Sequence, residues 1–236
     1  MGCEKLWPGG PSFRQSEHFR LCTDSVLLAD FITPGGARRG IDLGCGAGIL
    51  TLLLAEKSEK LSMTGLELQA EAAEIAAANL RDNALDGRCR VICGDLRRHR
   101  ELFPAGSFEL VVANPPYFST ARGAMAPVEA RAAARAEGAC TLEELACAAS
   151  WLCRSGGSLF LVYRTERMSE LFGCLSVHGL EPKRLRLVSY RAEDAPKLLL
   201  LEARRDGRPG LRMEPPLILS DGQGGESTEY RRIYHR

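Results

Sequence analysis

The sequence predicts an α/β domain whose sheet is doubly wound, mostly parallel and seven-stranded, ending in an antiparallel C-terminal hairpin. Three observations carry this. Short apolar runs alternate with segments of helical composition along most of the chain. The last two apolar runs stand too close together for a helix to fit between them. At 236 residues and 45% hydrophobic content, the chain can bury one large core rather than two, so residues 1–236 read as a single domain.

Residues 1–39 form an N-terminal extension. It holds TDSVLLADF (Thr23 to Phe31), an amphipathic helix with Thr23 or Asp24 as cap and its leucines turned to the core. Residues 40–216 are the core. GIDLGCGAGILTLLLAEKSE gives a strand around Ile41 to Leu43, a glycine turn and a helix; LSMTGLEL and CRVICGDL are strands flanking QAEAAEIAAANLRDN, a helix rich in helix formers. FELVVA is the fourth strand, CTLEELACAASWLCR a helix, GSLFLVYR the fifth strand, and TERMSELFGCLSVHG a helix closed by Gly179. LEPKRLRLVSY and PKLLLLEARR complete the hairpin. Residues 217–236 are a glycine-rich tail outside this frame.

Composition excludes several classes. With 31 basic and 30 acidic side chains the net charge is +1, so any nucleic-acid contact comes from local patches rather than a global polycation. Nine cysteines are an odd number, scattered from Cys3 to Cys174 without a CxxC, which fits reduced thiols in a cytoplasmic protein. No apolar run approaches the roughly 18 residues of a membrane helix, so no membrane partner is expected. His18, His99, His178 and His235 lack metal-ligand spacing, and no metal is expected.

Three signals fall at the carboxyl ends of successive strands. In DLGCGAG, Gly44, Gly46 and Gly48 allow a sharp turn and a close approach of backbone to ligand. Glu67 ends the second strand, about 20 residues on, where a carboxylate accepts from both hydroxyls of a ribose. Asp95 ends the third, placed to accept from an exocyclic amino group, and Leu68 and Leu96 follow these acids as walls for a purine. A nicotinamide dinucleotide is the nearest rival ligand, but its fingerprint needs a small residue where Ile49 stands.

The fourth strand ends in NPPYF. Pro115 forces Asn114 out of the α region, and neither proline offers an N–H, so the ladder stops and carbonyls are left free. If the Asn114 carboxamide oxygen and the Pro115 carbonyl both accept from one planar –NH2, they favour its pyramidal, nucleophilic form. Tyr117 supplies a stacking face. The structural alternatives are an ordinary Asn-Pro turn, tight packing at the glycines, and acids that cap the following helix.

Together DLGCGAG, Glu67, Asp95 and NPPY resemble the Rossmann-like class I S-adenosylmethionine-dependent methyltransferases of amino nitrogens. TDSVLLADF, CTLEEL, VYRTERM, EPKRLRLV, RRDGRPGL and PPLIL make the chain similar to the bacterial tRNA adenine-N6 methyltransferases that modify adenine 37 of a valine tRNA. In such relatives a histidine is expected where Ala136 stands. The resemblance implies S-adenosylmethionine as cofactor, held by Asp42, Gly44, Cys45, Gly46, Gly48, Glu67, Leu68, Asp95, Leu96 and Asn114, with Thr23 and Asp24 near its methionine end. It implies Asn114, Pro115 and Tyr117 as the groups that hold a flipped adenine, and tRNA as partner. Arg122, Arg131 and Arg135 in the loop after NPPYF are the best-placed phosphate contacts, followed by Lys183, Arg184 and Arg186 and by Arg231 and Arg232. A protein-glutamine N5 methyltransferase uses the same motif but carries a helical substrate domain in front; a DNA adenine methyltransferase needs a target-recognition region that nothing here supplies.

Overall fold

The computed structural model describes residues 3–16, 21–115 and 140–236. Helix α1 (Thr23–Phe31) leads into the core, where strands and helices alternate: β3 (Arg39–Leu43), α2 (Ile49–Lys57), β4 (Ser62–Glu67), α3 (Ala70–Asp82), β5 (Arg90–Cys93), α4 (His99–Leu102) and β6 (Phe108–Ala113). After the undescribed residues come α5 (Leu142–Leu152), β7 (Cys153–Arg164), α6 (Met168–Val177), β8 (Leu180–Ser189) and β9 (Leu198–Arg205). Helix α5 starts at a capping box, with Thr141 accepting from the Glu144 N–H and Glu144 reaching back to the Thr141 N–H.

The strands pair in the order β5-β4-β3-β6-β7-β9-β8, parallel except for β9. Alternate residues along the central strands bury on opposite faces. Leu110, Val112, Phe160 and Leu200 join the core under α1, α2 and α3, whereas Val111, Ala113, Leu161 and Leu201 join the core under α5 and α6. The sheet is therefore covered on both sides, which is why these strands read as continuous apolar runs.

The predicted hairpin exists, but its second strand is internal. β9 inserts between β7 and β8, antiparallel to both, which leaves β8 parallel to β7. The side chains explain the order: Leu199, Leu200 and Leu201 are all buried and suit an interior strand, whereas KRLR on β8 carries the charges. Beyond β8 the short strands β10 (Arg212–Met213) and β11 (Leu217–Ile218) add in parallel, so the sheet has nine strands among the described residues.

Both ends of the chain pack on this core. Strands β1 (Cys3–Lys5) and β2 (Ser12–Arg14) pair as a hairpin, clasped to α3 by Asn83, which accepts from the Ser12 N–H at 2.8 Å, and by Asn79, which accepts from the Arg14 N–H at 2.6 Å. In the glycine-rich tail, α7 (Thr228–Ile233) starts at Ser227 and buries Ile233, with Leu217 and Tyr234 buried on either side.

Helix α1 begins at Cys22, which makes no side-chain capping bond; Thr23 and Asp24 are helical positions instead of the expected cap. Its far end is closed by a cation. Lys57 Nζ donates to the carbonyls of Ala29 (2.9 Å), Asp30 (2.9 Å) and Ile32 (2.7 Å), which satisfies groups a helix terminus otherwise leaves open. Burial of Lys57 lowers its pKa, with Asp30 opposing that effect. Lys57→Met keeps the apolar stem but removes three donors, and should lower unfolding free energy by about 1–3 kcal/mol in urea titration at neutral pH.

Candidate functional site

The glycine turn after β3 is pinned to the end of β4 by its own backbone. The Gly44 and Cys45 N–H groups both donate to the Leu66 carbonyl, at 2.8 and 3.1 Å. The Glu67 carboxylate completes the tie: Oε2 accepts from the Gly46 N–H at 2.8 Å and Oε1 from the Gln69 N–H at 2.9 Å. Gly46 has φ +55°, and nothing lies within 4 Å of where a β-carbon would stand, so the turn opens onto free space. Gly48 makes the sharp turn expected of it and has a packing role besides. At φ +84° its β-carbon would fall 2.9 Å from the Ala76 β-carbon, so this glycine permits the close packing of α2 on α3.

Asp42 lies fully buried beneath the turn, with Oδ2 accepting from the Thr51 N–H (3.1 Å) and hydroxyl (2.9 Å). Burial pushes its carboxyl up to about 7, against the Thr51 donors, and Oδ1 has no partner among the described residues. Cys45 is buried too; its sulfur faces the backbone of Gly65, whose hypothetical β-carbon would sit 2.7 Å away. The sulfur is a packing group, and only the Cys45 backbone belongs to the turn.

At the next strand ends, Leu68 is 44% exposed beside the buried Glu67, while Leu96 is partly buried against the second core. Asp95 caps the short 3-10 turn that follows β5, accepting from the Arg97 N–H at 2.9 Å and pairing with its guanidinium at 2.6 Å. These bonds hold the Asp95 carboxyl below its usual range. An amino group approaching Asp95 must share it with Arg97.

Asn114 emerges from β6 with its Nδ2 donating at 2.8 Å to the hydroxyl of Ser25, a buried residue of α1. Among the described residues, the nitrogen end of the carboxamide is the one that is bonded. Thr23 lies against the buried hydroxyl of Tyr234, so the first turn of α1 meets the C-terminal tail. The glycine turn, Glu67, Leu68, Asp95 and Asn114 thus lie at the carboxyl ends of four neighbouring parallel strands, the usual place for ligands in an open α/β sheet.

The basic residues divide. Tyr117, Arg122, Arg131 and Arg135 lie outside the described residues. Arg184 and Arg186 are engaged within the fold: Arg184 pairs with Glu202 (3.0 Å) and Glu214 (3.1 Å), donates to the Phe31 carbonyl and stacks on the Phe31 ring, while Arg186 pairs with Glu229 at 2.7 Å. Their side chains are 15% and 13% exposed, because a charged strand inside a nine-stranded sheet must find partners there. Lys183 donates to the Arg208 carbonyl and Arg232 pairs with Asp30, whereas Arg231 is exposed.

Among the described residues, Glu143, Cys174 and His178 meet between α5 and α6, with His178 Nε2 2.7 Å from Glu143. His99 is a buried packing residue, and His235 stacks on Trp7. Sequence reasoning missed Ser25, Thr51 and Asn79. Asn79 is fully buried and bonds the Ala47 carbonyl of the glycine turn at 2.9 Å. A polar amide in the alanine-rich stretch of α3 was the available signal for it; a serine in an apolar helix carries no such mark.

Residues 18–176 match the methyltransferase small domain family. A tRNA1(Val) (adenine(37)-N6)-methyltransferase of Tolumonas auensis is 32% identical over 88% of this chain and 85% of its own. That of Porphyromonas gingivalis is 31% identical over 91% of this chain and 86% of its own. Among solved structures, a predicted O-methyltransferase from Agrobacterium tumefaciens shares the fold, with a TM-score of 0.72 at 24% identity over 90% of this chain and 96% of that one. A geranyl diphosphate C-methyltransferase from Streptomyces coelicolor, solved with S-adenosyl-L-homocysteine, has a TM-score of 0.57 at 14% identity over 76% of this chain and 80% of that one. The chain belongs to the methyltransferase small domain family, and to the same family as these tRNA1(Val) (adenine(37)-N6)-methyltransferases.

Proposed function

We propose that this chain transfers a methyl group from S-adenosylmethionine to the N6 amino group of an adenine in tRNA, adenine 37 of the valine tRNA. The observation that carries the chemistry is the Asn114 carboxamide, bonded through its nitrogen to Ser25, at the end of a strand beside the glycine turn. Kinship at 31–32% identity over most of the chain supports the substrate.

The residues fit the cofactor. Gly46 leaves open space over the turn, Glu67 keeps acceptor capacity for a ribose diol, Leu68 exposes an apolar face to a purine, and the orphan Oδ1 of Asp42 is an acceptor below the turn. S-adenosylmethionine supplies an electrophilic methyl group on a sulfonium. Asn114 Oδ1 and the Pro115 carbonyl accept from the two N–H bonds of the substrate amine, which draws density onto the nitrogen and turns its lone pair toward the methyl. The nitrogen loses its proton after transfer, so no side chain need act as general base. A base in an RNA loop is already partly unstacked, so drawing it into this site costs less than flipping one from a duplex. Arg231 and Arg232 are candidate phosphate contacts among the described residues, and Arg122, Arg131 and Arg135 are candidates by sequence alone; Arg184 and Arg186 serve the fold first.

The decisive experiment incubates the protein with labelled S-adenosylmethionine and tRNA from cells lacking the gene, followed by nucleoside analysis. N6-methyladenosine in valine tRNA is the expected product. Label in a release-factor-like protein or in duplex DNA, with none in tRNA, would replace the substrate and leave only the amino-methyltransferase chemistry.

Two variants divide the site. Glu67→Ala should weaken cofactor binding by about 1–3 kcal/mol in calorimetry, through the lost ribose acceptor and a loosened glycine turn. Unchanged affinity in the folded variant would remove Glu67 from the cofactor site. Asn114→Ala should leave cofactor affinity near wild type and slow single-turnover methyl transfer by about 10²-fold or more.

A further inference from the structure

The carboxamide of Asn114 has two ends, and only one of them suits the reaction. An oxygen facing the substrate amine accepts its protons and enriches the nitrogen; an NH2 facing it opposes donor to donor and leaves the amine unactivated. What fixes the orientation therefore matters to the chemistry as much as the residue itself.

The strand end does not fix it alone. Asn114 Nδ2 donates at 2.8 Å to Ser25 Oγ, 89 positions away in sequence and 4% exposed. The nitrogen end is thus engaged by the Ser25 hydroxyl on α1, which leaves the oxygen end as the acceptor that the reading of Asn114 requires.

We propose that Ser25 is a positioning residue for methyl transfer, acting through Asn114, and that α1 is part of the catalytic apparatus through this one bond. The inference rests on the reading of Asn114 as the acceptor of the substrate amine. The helix is suited to the task because it is held from several sides. Val26, Leu27 and Leu28 are buried, Lys57 closes its carbonyl end, Arg184 donates to the Phe31 carbonyl, and Arg232 pairs with Asp30. A hydroxyl on so fixed an element holds the amide plane with little freedom to rotate, which is what preorganisation of a polar site requires.

The test is a double-mutant cycle in single-turnover kinetics at saturating S-adenosylmethionine and substrate tRNA, with cofactor affinity and the unfolding midpoint measured on each variant. Ser25→Ala should slow methyl transfer about tenfold or more while both controls stay close to wild type, and Ser25→Thr, which restores the hydroxyl, should recover rate. Ser25→Ala added to Asn114→Ala should cost no further rate, because the bond it removes no longer exists. A Ser25→Ala rate equal to wild type overturns the proposal. So does a loss that Ser25→Thr fails to recover and that multiplies in full with the loss from Asn114→Ala. The outcomes separate the two readings: a fast Asn114→Ala removes the role of Asn114 itself, whereas a slow Asn114→Ala beside a fast Ser25→Ala removes only the role of Ser25.

Discussion

The open end of the sheet is organised around one carboxylate. Glu67 accepts from the Gly46 N–H with one oxygen and the Gln69 N–H with the other, so the turn after β3 and the start of α3 are joined through the last residue of β4. At 7% exposure a carboxylate needs hydrogen-bond donors around it, and the Gly46 and Gln69 N–H groups supply them. The Glu67 carbonyl extends the join by accepting from the Gly94 N–H at 2.7 Å, which ties in the end of β5. Three adjacent strand ends are thus fixed relative to one another before any ligand arrives.

Two buried polar side chains support this arrangement from behind. Asp42 holds the first turn of α2 through Thr51, and Asn79 holds the Ala47 carbonyl while its oxygen accepts from the Arg14 N–H of the N-terminal hairpin. The N-terminal extension is therefore fastened to the same turn that faces the ligand. Helix α1 has its own fastening in Lys57 and Arg184, cations directed at the carbonyls that end the helix, where the dipole favours positive charge.

The same logic accounts for the basic residues of β8. A KRLR tetrad reads as a surface for phosphate when only the chain is known. Once β10 and β11 add to the outer edge and the tail folds across, Arg184 and Arg186 are enclosed, and an enclosed guanidinium takes carboxylates before it takes solvent. Their partners Glu202, Glu214 and Glu229 are 18, 30 and 43 positions away, beyond what local spacing reveals.

Periodicity and turn chemistry are local properties, so the sequence by itself determined the order of strands and helices, the glycine turn after β3, the acids at the next two strand ends and the proline-terminated strand with Asn114. Each depends on a residue and its near neighbours: an apolar run buried on both faces, a turn that requires positive φ, a ladder stopped by a missing N–H. Tertiary structure alone decided which partners those residues take. It placed β9 inside the sheet, because three buried leucines need cover on both faces, and it set Gly48 close against Ala76. It brought Ser25 across 89 residues to the carboxamide of Asn114. A hydrogen bond between distant segments depends on how helices dock on a sheet. That docking is set by the summed burial of many side chains, and no single position in the chain records it.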